Sequence, residues 1–326
     1  MPTTLKNVSD NSIIHRNNYL TNDFNSDRLV EIHQDIDFPD AKGKLSQWIF
    51  DGTSIGHNTW TYKKYLETSI KADLDVVHMH FNLRGKITME YSNFGKHFTI
   101  GSYQHNLFYA NGFEGIIRNE ELYSETFIIQ LTKETFIRFA HSAGDKMARF
   151  GEKILEGKPI AMSEHNLYIG LLMHNAIKDI LRCRYEDGIK KLYLQSKCLE
   201  LLVLQAEAFE KSEITKPVYC KTEYDKERIL FARDYLVQHA DMPPGLDELS
   251  KIAGINSFKL KNGFKELFNN TVFGYLSDYR LEQAKNDLIS GQKTATEIAF
   301  ELGYSSLQHF SSAFKKKYGV SPKRKR

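Results

Sequence analysis

Apolar positions recur every three or four residues in two segments of the last third of the chain, and this spacing predicts helices. Each segment has a short helix, a glycine turn and a second helix, the pattern of a helix–turn–helix motif. The first motif covers about 246–267, with Gly254 as its turn and Asn256 as the cap of its second helix. Its inward stripes are expected at Leu246, Leu249, Ile252, Ala253, Leu260, Phe264 and Leu267.

The second motif covers about 295–316 and repeats this plan at an offset of fifty residues. A capping box begins it at Thr294, Gly303 is its turn, and Ser305 or Ser306 caps its second helix. Its inward stripes are expected at Ile298, Ala299, Leu302, Phe310 and Phe314.

The opposite faces of both second helices are polar and partly cationic, as in helices that enter the major groove of DNA. They hold Phe258, Lys261, Asn262 and Lys265 in the first motif, and Gln308, Ser311, Ser312 and Lys315 in the second. One such helix fits an ordinary surface helix equally well, but two in matching register favour DNA binding. Between the motifs, residues 271–288 predict one helix of roughly 27 Å, which can hold two recognition helices near one DNA turn apart, about 34 Å.

These motifs resemble the paired helix–turn–helix motifs that end the AraC/XylS transcription regulators. The resemblance rests on Ile298-Ala299, Leu302-Gly303-Tyr304, Phe310-Ser311, Ala313-Phe314-Lys315 and Tyr318-Gly319-Val320-Ser321-Pro322. The segment GFKELFNNTVFGYLSDYRLEQA is also similar to a PchR-like branch of the family, which contains regulators of siderophore uptake. The resemblance covers only the last third of the chain.

The resemblance implies base contacts from the positions that match the family's recognition helices. These positions are Phe258, Lys261, Asn262, Leu307, Gln308, Ser311 and Ser312. Asn262 and Ser312 replace an Arg that the family often carries, and Asn suits adenine whereas Arg suits guanine. Gln308 has a competing interpretation as the end of a capping box that starts at Ser305. The lysines expected to contact phosphate rather than bases are Lys265, Lys315, Lys316 and Lys317.

Residues 45–132 are short runs of β-branched and aromatic residues between Gly, Asn and charged turns, which predicts strands. Their close spacing favours an antiparallel barrel or sandwich, and a small barrel can enclose one ligand. The family resemblance implies a cupin-like effector barrel here. From 133 to 212 the apolar period becomes helical, with one helix predicted to begin at a Ser163 cap. Residues 187–211 are apolar around much of the helix, which predicts packing on the barrel, a dimer interface, or both on different faces.

The predicted fold is α+β: an N-terminal cupin-like antiparallel β-barrel with a helical dimerisation segment, and a C-terminal all-α double helix–turn–helix domain. We assign residues 1–212 to effector sensing and dimerisation. The polar segment 213–222 is assigned to a linker and residues 223–326 to DNA binding.

His78 and His80 lie two residues apart, which puts both imidazoles on one face of a strand, and His105 is a distant third candidate ligand. No carboxylate follows closely, since Glu90 comes ten residues after His80. Structural or surface histidines are therefore favoured over a metal site, and no cofactor is expected. The sequence has no nucleophile elbow, Walker loop or GxGxxG pattern, so the chain is not expected to be an enzyme.

Composition is ordinary for a soluble globular protein, with 41% hydrophobic and 26% charged residues. Three widely spaced cysteines argue against a disulfide framework. Neither a membrane helix nor a secretory signal is evident, which predicts a cytoplasmic protein. The net charge is +3, but residues 220–326 carry 18 Lys and Arg against 13 Asp and Glu. The basic end Lys323–Arg326 either contacts phosphate or is a solvated tail.

The sequence thus predicts a sequence-specific DNA-binding transcription regulator, with ligand-responsive activation as the expected mode. Its expected partners are operator DNA, a small-molecule effector, a second copy in a homodimer and, for an activator, RNA polymerase, but no membrane. The branch resemblance makes a ferric siderophore the candidate effector. Two alternatives stay open: a cupin-type metal-dependent barrel enzyme fused to a DNA-binding module, and an effector-independent DNA-binding protein. Bound metal that is lost on changing His78 and His80 would favour the enzyme.

Overall fold

The chain consists of two compact units, which are Met1–Glu213 and Ile214–Arg326. The boundary falls in the predicted linker 213–222. The structure, a computed structural model, describes residues 3–17, 24–140, 143–212, 218–291 and 293–322. Part of the linker, 213–217, and the basic end 323–326 therefore lie outside the described residues. None of the described helices is long and apolar enough to cross a membrane.

An antiparallel sheet dominates the first unit, with twelve strands in its described residues. Its strands before the first helix are β1 Thr3–Asn7, β2 Ile13–Asn17, β3 Val30–Phe38, β4 Ala41–Phe50, β5 Thr53–Tyr62, β6 Glu67–Arg84, β7 Ile87–Tyr91, β8 Lys96–Ile100, β9 Gln104–Asn119 and β10 Tyr123–Thr132. The prediction that strands begin at residue 45 is wrong, because β1 to β3 precede it. The missed β3 is an edge strand whose side chains are mostly exposed and often charged, so it carries no apolar run.

The sheet curls around one of its faces. Its main path runs β3-β4-β5-β10-β6-β9-β7-β8. Ile49 on β4 shares a buried cluster with Val76 on β6 and Phe113 on β9, although β5 and β10 lie between them. Side chains from strands so far apart meet only if the sheet bends toward them. The sheet therefore has an inward face, as the predicted barrel requires.

The outward face of the sheet packs against four helices. These are α1 Lys133–Ala140, α2 Asp145–Leu155, α3 Leu171–Leu181 and α4 Asp187–Lys211. Met79 and Phe81 on β6 belong to the same buried cluster as Ile177 on α3 and Leu201 on α4. The helices thus cover the outward face of the sheet, and one face of α4 is part of the core.

The predicted Ser163 cap is wrong. The helix begins only at Leu171, after Gly170. The chain before it forms two short strands, β11 Ile160–Ala161 and β12 Leu167–Tyr168, which both pair with β9. A serine ahead of an apolar stretch is a local signal for a helix cap. Pairing with a distant strand has no such local signal, so the sequence favoured the cap.

The second unit is entirely helical in the described residues. Its helices are α5 Glu223–Gln238, α6 Leu246–Ala253, α7 Ser257–Phe268, α8 Val272–Ser290, α9 Ala295–Glu301 and α10 Leu307–Tyr318. A capping box of Thr222 and Asp225 starts α5. Helix α8 ends at Gly291 in the left-handed conformation, with φ of 67°. The two motifs and the connecting helix therefore form where their periodicity and caps predict them.

Candidate DNA-binding surface

The first motif consists of α6 and α7, joined at Gly254 in the left-handed conformation with φ of 70°. The Asn256 side chain caps α7 by accepting a hydrogen bond of 2.7 Å from the Lys259 amide. Leu260 and Phe264 are fully buried, as predicted. The third inward residue is Phe268 rather than Leu267, because the Phe268 ring packs on both Phe264 and Tyr275.

The outward stripe of α7 lies on one side of the helix. The Phe258 side chain is 68% exposed, and Lys261 and Lys265 are exposed as well. Asn262 is half-buried and donates a hydrogen bond of 2.8 Å from Nδ2 to the Phe258 carbonyl oxygen. The amide nitrogen carries two protons, so one donor and the amide oxygen stay available for an adenine.

The second motif consists of α9 and α10. Thr294 and Glu297 form the predicted capping box of α9. Ser306 caps α10 by accepting a hydrogen bond of 3.2 Å from the His309 amide, and Ser305 instead bonds the His309 ring. The capping box that we considered for Gln308 is therefore wrong, because the third residue after the cap is His309. The exposed Gln308 side chain is left for other partners.

Most of the predicted outward residues of α10 are accessible. Leu307 is 38% exposed, Gln308 and Ser312 are exposed, and Ser311 is half-buried. Lys315 and Lys316, the predicted phosphate contacts that follow, are also exposed.

Lys317, the third lysine of this run, points elsewhere. Its Nζ lies 2.9 Å from Asp278 Oδ1 and 3.6 Å from Glu282 Oε1, both on α8. Three successive helical residues point in directions about 100° apart. Lys317 therefore falls on the side that packs against α8, and we remove it from the candidate phosphate contacts.

Two functional neighbours of these helices were missed by the sequence interpretation. Arg280 on α8 donates from Nε to the Ala240 carbonyl oxygen at 2.7 Å, and its guanidinium lies over the Tyr304 ring at 5.6 Å. It thereby connects the loop before the first motif to the turn of the second. Glu266 on α7 accepts hydrogen bonds from the backbone of residues 218–220. Neither role has a local sequence signal, because Ala240 lies 40 positions from Arg280 and Tyr219 lies 47 positions from Glu266.

The three candidate metal ligands of the first unit do not converge. His78 and His80 lie on the inward face of the sheet, whereas His105 lies opposite Phe81 in the β6–β9 register and so shares the outward face. His105 Nδ1 bonds Gln205 of α4 at 3.0 Å. Among the described residues, no group of three or more His, Cys, Asp or Glu side chains could hold a metal ion.

Burial holds all three imidazoles in the neutral form. It lowers the pKa of His78 to about 3, with the neighbouring His80 contributing, and the pKa of His105 to about 3. The pKa of His80 falls to about 4 for the same reason. His78 Nε2 lies 3.3 Å from Gln130 Nε2, and His80 Nε2 is buried without a hydrogen-bond partner among the described residues.

Both units match known families. Residues 46–219, more than half of the chain, match the family described as Regulatory protein PchR N-terminal domain, and residues 249–326 match a helix-turn-helix domain. Regulatory protein PchR of Pseudomonas aeruginosa is 38% identical over 115 residues, which is 34% of this chain and 38% of that protein. The xylose operon regulatory protein of Escherichia coli is 35% identical over 95 residues, covering 29% of this chain and 24% of that protein. These matches span less than two fifths of either relative.

Among solved structures, apo ToxT from Vibrio cholerae is 14% identical. That match covers 82% of this chain and 95% of the ToxT chain, with a TM-score of 0.35.

Proposed function

The chain belongs to the PchR family of regulatory proteins, and on that premise we propose that it is a sequence-specific transcription regulator rather than an enzyme. It binds two successive major-groove segments of one operator. The observation that carries this proposal is the repeated motif, in which α7 and α10 present accessible polar stripes at an offset of fifty residues. Helix α8 has 19 residues and a length of about 28 Å, which suits two adjacent turns of the groove.

The proposed contacts divide by chemistry. Base contacts come from Phe258, Lys261, Asn262, Leu307, Gln308, Ser311 and Ser312. Phosphate contacts come from Lys265, Lys315 and Lys316, whose exposed ammonium groups supply affinity without sequence information.

Lys315→Ala and Lys316→Ala are each expected to weaken binding to all DNA sequences alike. Every lost phosphate contact lowers the slope of log affinity against log salt by about 1. Fluorescence anisotropy of the full chain on labelled duplexes, taken from a selection on random DNA, measures this slope. Lys317→Ala is the matched control, because its ammonium is paired with Asp278. An unchanged slope for the first two variants, or an equal change for Lys317→Ala, would contradict the assignment.

We also propose that the inward face of the barrel takes the small-molecule effector. A row of polar side chains crosses it, with Gln47 Nε2 donating to Ser54 Oγ at 2.8 Å and Gln130 beside His78. His80 Nε2, which has no hydrogen-bond partner in the part of the chain that the structure describes, lies on the same face. Buried polar atoms favour a polar ligand that satisfies them. A ferric siderophore is the candidate effector, and activation through RNA polymerase is the proposed output.

A second copy of the chain is the proposed partner of α4. Ile189, Leu192 and Val203 are 66%, 67% and 65% exposed, and with Ser196 and Leu199 they repeat at alternating steps of three and four. This spacing is that of a coiled-coil seam. The opposite face of α4 is buried in the core, so one helix serves both the fold and the dimer.

Leu192→Glu is expected to convert the dimer into a monomer without unfolding it, since the side chain is exposed within one chain. A charge placed in the seam, together with the lost apolar burial, raises the dimer dissociation constant by about a hundredfold. Sedimentation velocity measures the change. Leu155→Glu on α2, where the leucine is 59% exposed, is the matched control and should leave the assembly unchanged. Equal behaviour of the two variants would rule out this seam.

A further inference from the structure

The segment that joins the two units is fastened to the first recognition helix. We call residues 218–220 the linker end. Val218 and Tyr219 donate their backbone N–H groups to Glu266 Oε2 at 3.2 and 2.8 Å, and Cys220 donates to Oε1 at 3.4 Å. Three successive amides on one carboxylate form an anion-binding cradle, here filled by a side chain of the protein itself.

Side chains of the linker end also contact α7. The Tyr219 ring meets the Phe258 ring edge to face, with 5.9 Å between centroids. Cys220 is completely buried, and its sulfur would lie only 2.6 Å from a Cβ added at Gly263. The linker end thus follows α7 from its first turn to its last.

These contacts lie along a row of α7 that contains two of the proposed base contacts, Phe258 and Asn262. Phe258, Asn262 and Glu266 are spaced by four residues, so they form one row along the helix. The linker end holds the first and the last of the three. Phe258 nevertheless stays 68% exposed, so the linker end lies beside the row rather than over it.

A carboxylate in this row needs an explanation, because it would repel DNA phosphates. At the same offset of fifty residues, the second motif has Lys316 in place of Glu266. The first motif therefore has an anion at the position where the second motif has a cation. The three N–H groups account for this exchange, since they bind the carboxylate and offset its charge.

We propose that the linker end, held by Glu266, is a specificity-determining part of the first recognition surface, in which Tyr219 fixes the Phe258 ring against the bases. This inference rests on the proposed DNA-binding function. Tyr219 and Glu266 act as positioning residues. A ring held from one side has one orientation in the groove, whereas a free phenylalanine samples several rotamers.

The test is a binding selection on random double-stranded DNA with the full-length protein. It compares the wild type with Glu266→Gln and Tyr219→Ala. Tyr219→Phe is the conservative variant that keeps the ring, and Glu227→Gln on α5 removes an exposed charge elsewhere in the same unit. Anisotropy on the selected duplexes then gives discrimination at each position.

Glu266→Gln and Tyr219→Ala are expected to lose about tenfold in discrimination at the base pairs of the first segment and nothing at the second. Tyr219→Phe and Glu227→Gln should keep the wild-type preference. A uniform change of affinity with unaltered preferences would overturn the inference, because charge alone acts on all sequences equally. If the wild type itself selects no sequence, the proposed function fails. If the wild type selects a sequence and Glu266→Gln and Tyr219→Ala discriminate it equally well, the inference alone fails.

Discussion

Gly303→Ala is expected to unfold the second motif, whereas the equivalent Gly254→Ala in the first motif should be tolerated. Both glycines have left-handed φ values, 73° and 70°, which cost an alanine about 1–2 kcal/mol. Their surroundings differ. A Cβ at Gly254 would have the Tyr224 hydroxyl as its nearest neighbour, at 3.6 Å. At Gly303 it would lie 2.0 Å from the Asp241 carbonyl oxygen, an overlap that only backbone movement relieves.

The unfolding free energy of the second unit should therefore fall by more than about 4 kcal/mol for Gly303→Ala. Hydrogen exchange of α9 and α10 amides, together with DNA affinity, measures the loss. Both tryptophans, Trp48 and Trp60, lie in the first unit, so an unchanged fluorescence spectrum shows that this unit is intact. An equal loss of unfolding free energy in Gly303→Ala and Gly254→Ala would mean that the close approach to Asp241 does not affect stability.

Acid is expected to destabilise the first unit between pH 6.5 and about 4. In the unfolded chain His78, His80 and His105 titrate near 6.5, whereas burial keeps their folded pKa values at about 3 to 4. The unfolded state therefore binds more protons in this window, and stability falls as the pH falls. Each histidine contributes at most about 1.4 kcal/mol per pH unit, so the three together would remove much of an ordinary folding free energy within two pH units.

Urea unfolding followed by tryptophan fluorescence isolates this effect in the full chain, because both tryptophans belong to the first unit. His78→Gln should reduce the dependence on pH by about one proton. His97→Gln is the control, since His97 is exposed on β8. A stability that is flat from pH 7 to pH 5 would contradict the neutral burial of these imidazoles.

Local signals predicted the second unit well. Caps at Asn256 and Thr294, glycines at the turns and a period of 3.6 are each set by residues within one helical turn. The same rules failed wherever a distant partner decides the outcome. Lys317 is placed by Asp278, which lies 39 positions away, and nothing near the lysine indicates this pairing.

The first unit was harder for the same reason. A period of two places His78 and His80 on one face, but the face of His105 depends on how β9 pairs with β6. A shift of one residue in the β6–β9 register would have put the His105 side chain on the inward face of the sheet. The edge strand β3 was not predicted because few of its side chains are buried. The start of α3 was predicted too early because the residues before it pair with β9.

Arg280 connects two separate parts of the second unit. It holds the carbonyl oxygens of Ala240 and Asp241 before the first motif, and its guanidinium covers Tyr304 in the second. These contacts join the segment before the first motif to the turn of the second, so we expect them to restrict the distance between α7 and α10. For the proposed binding to two DNA segments, the number of base pairs between the segments would then matter as much as the bases themselves. One base pair added to that gap rotates the second segment by about 35°, so we expect it to weaken binding through α10.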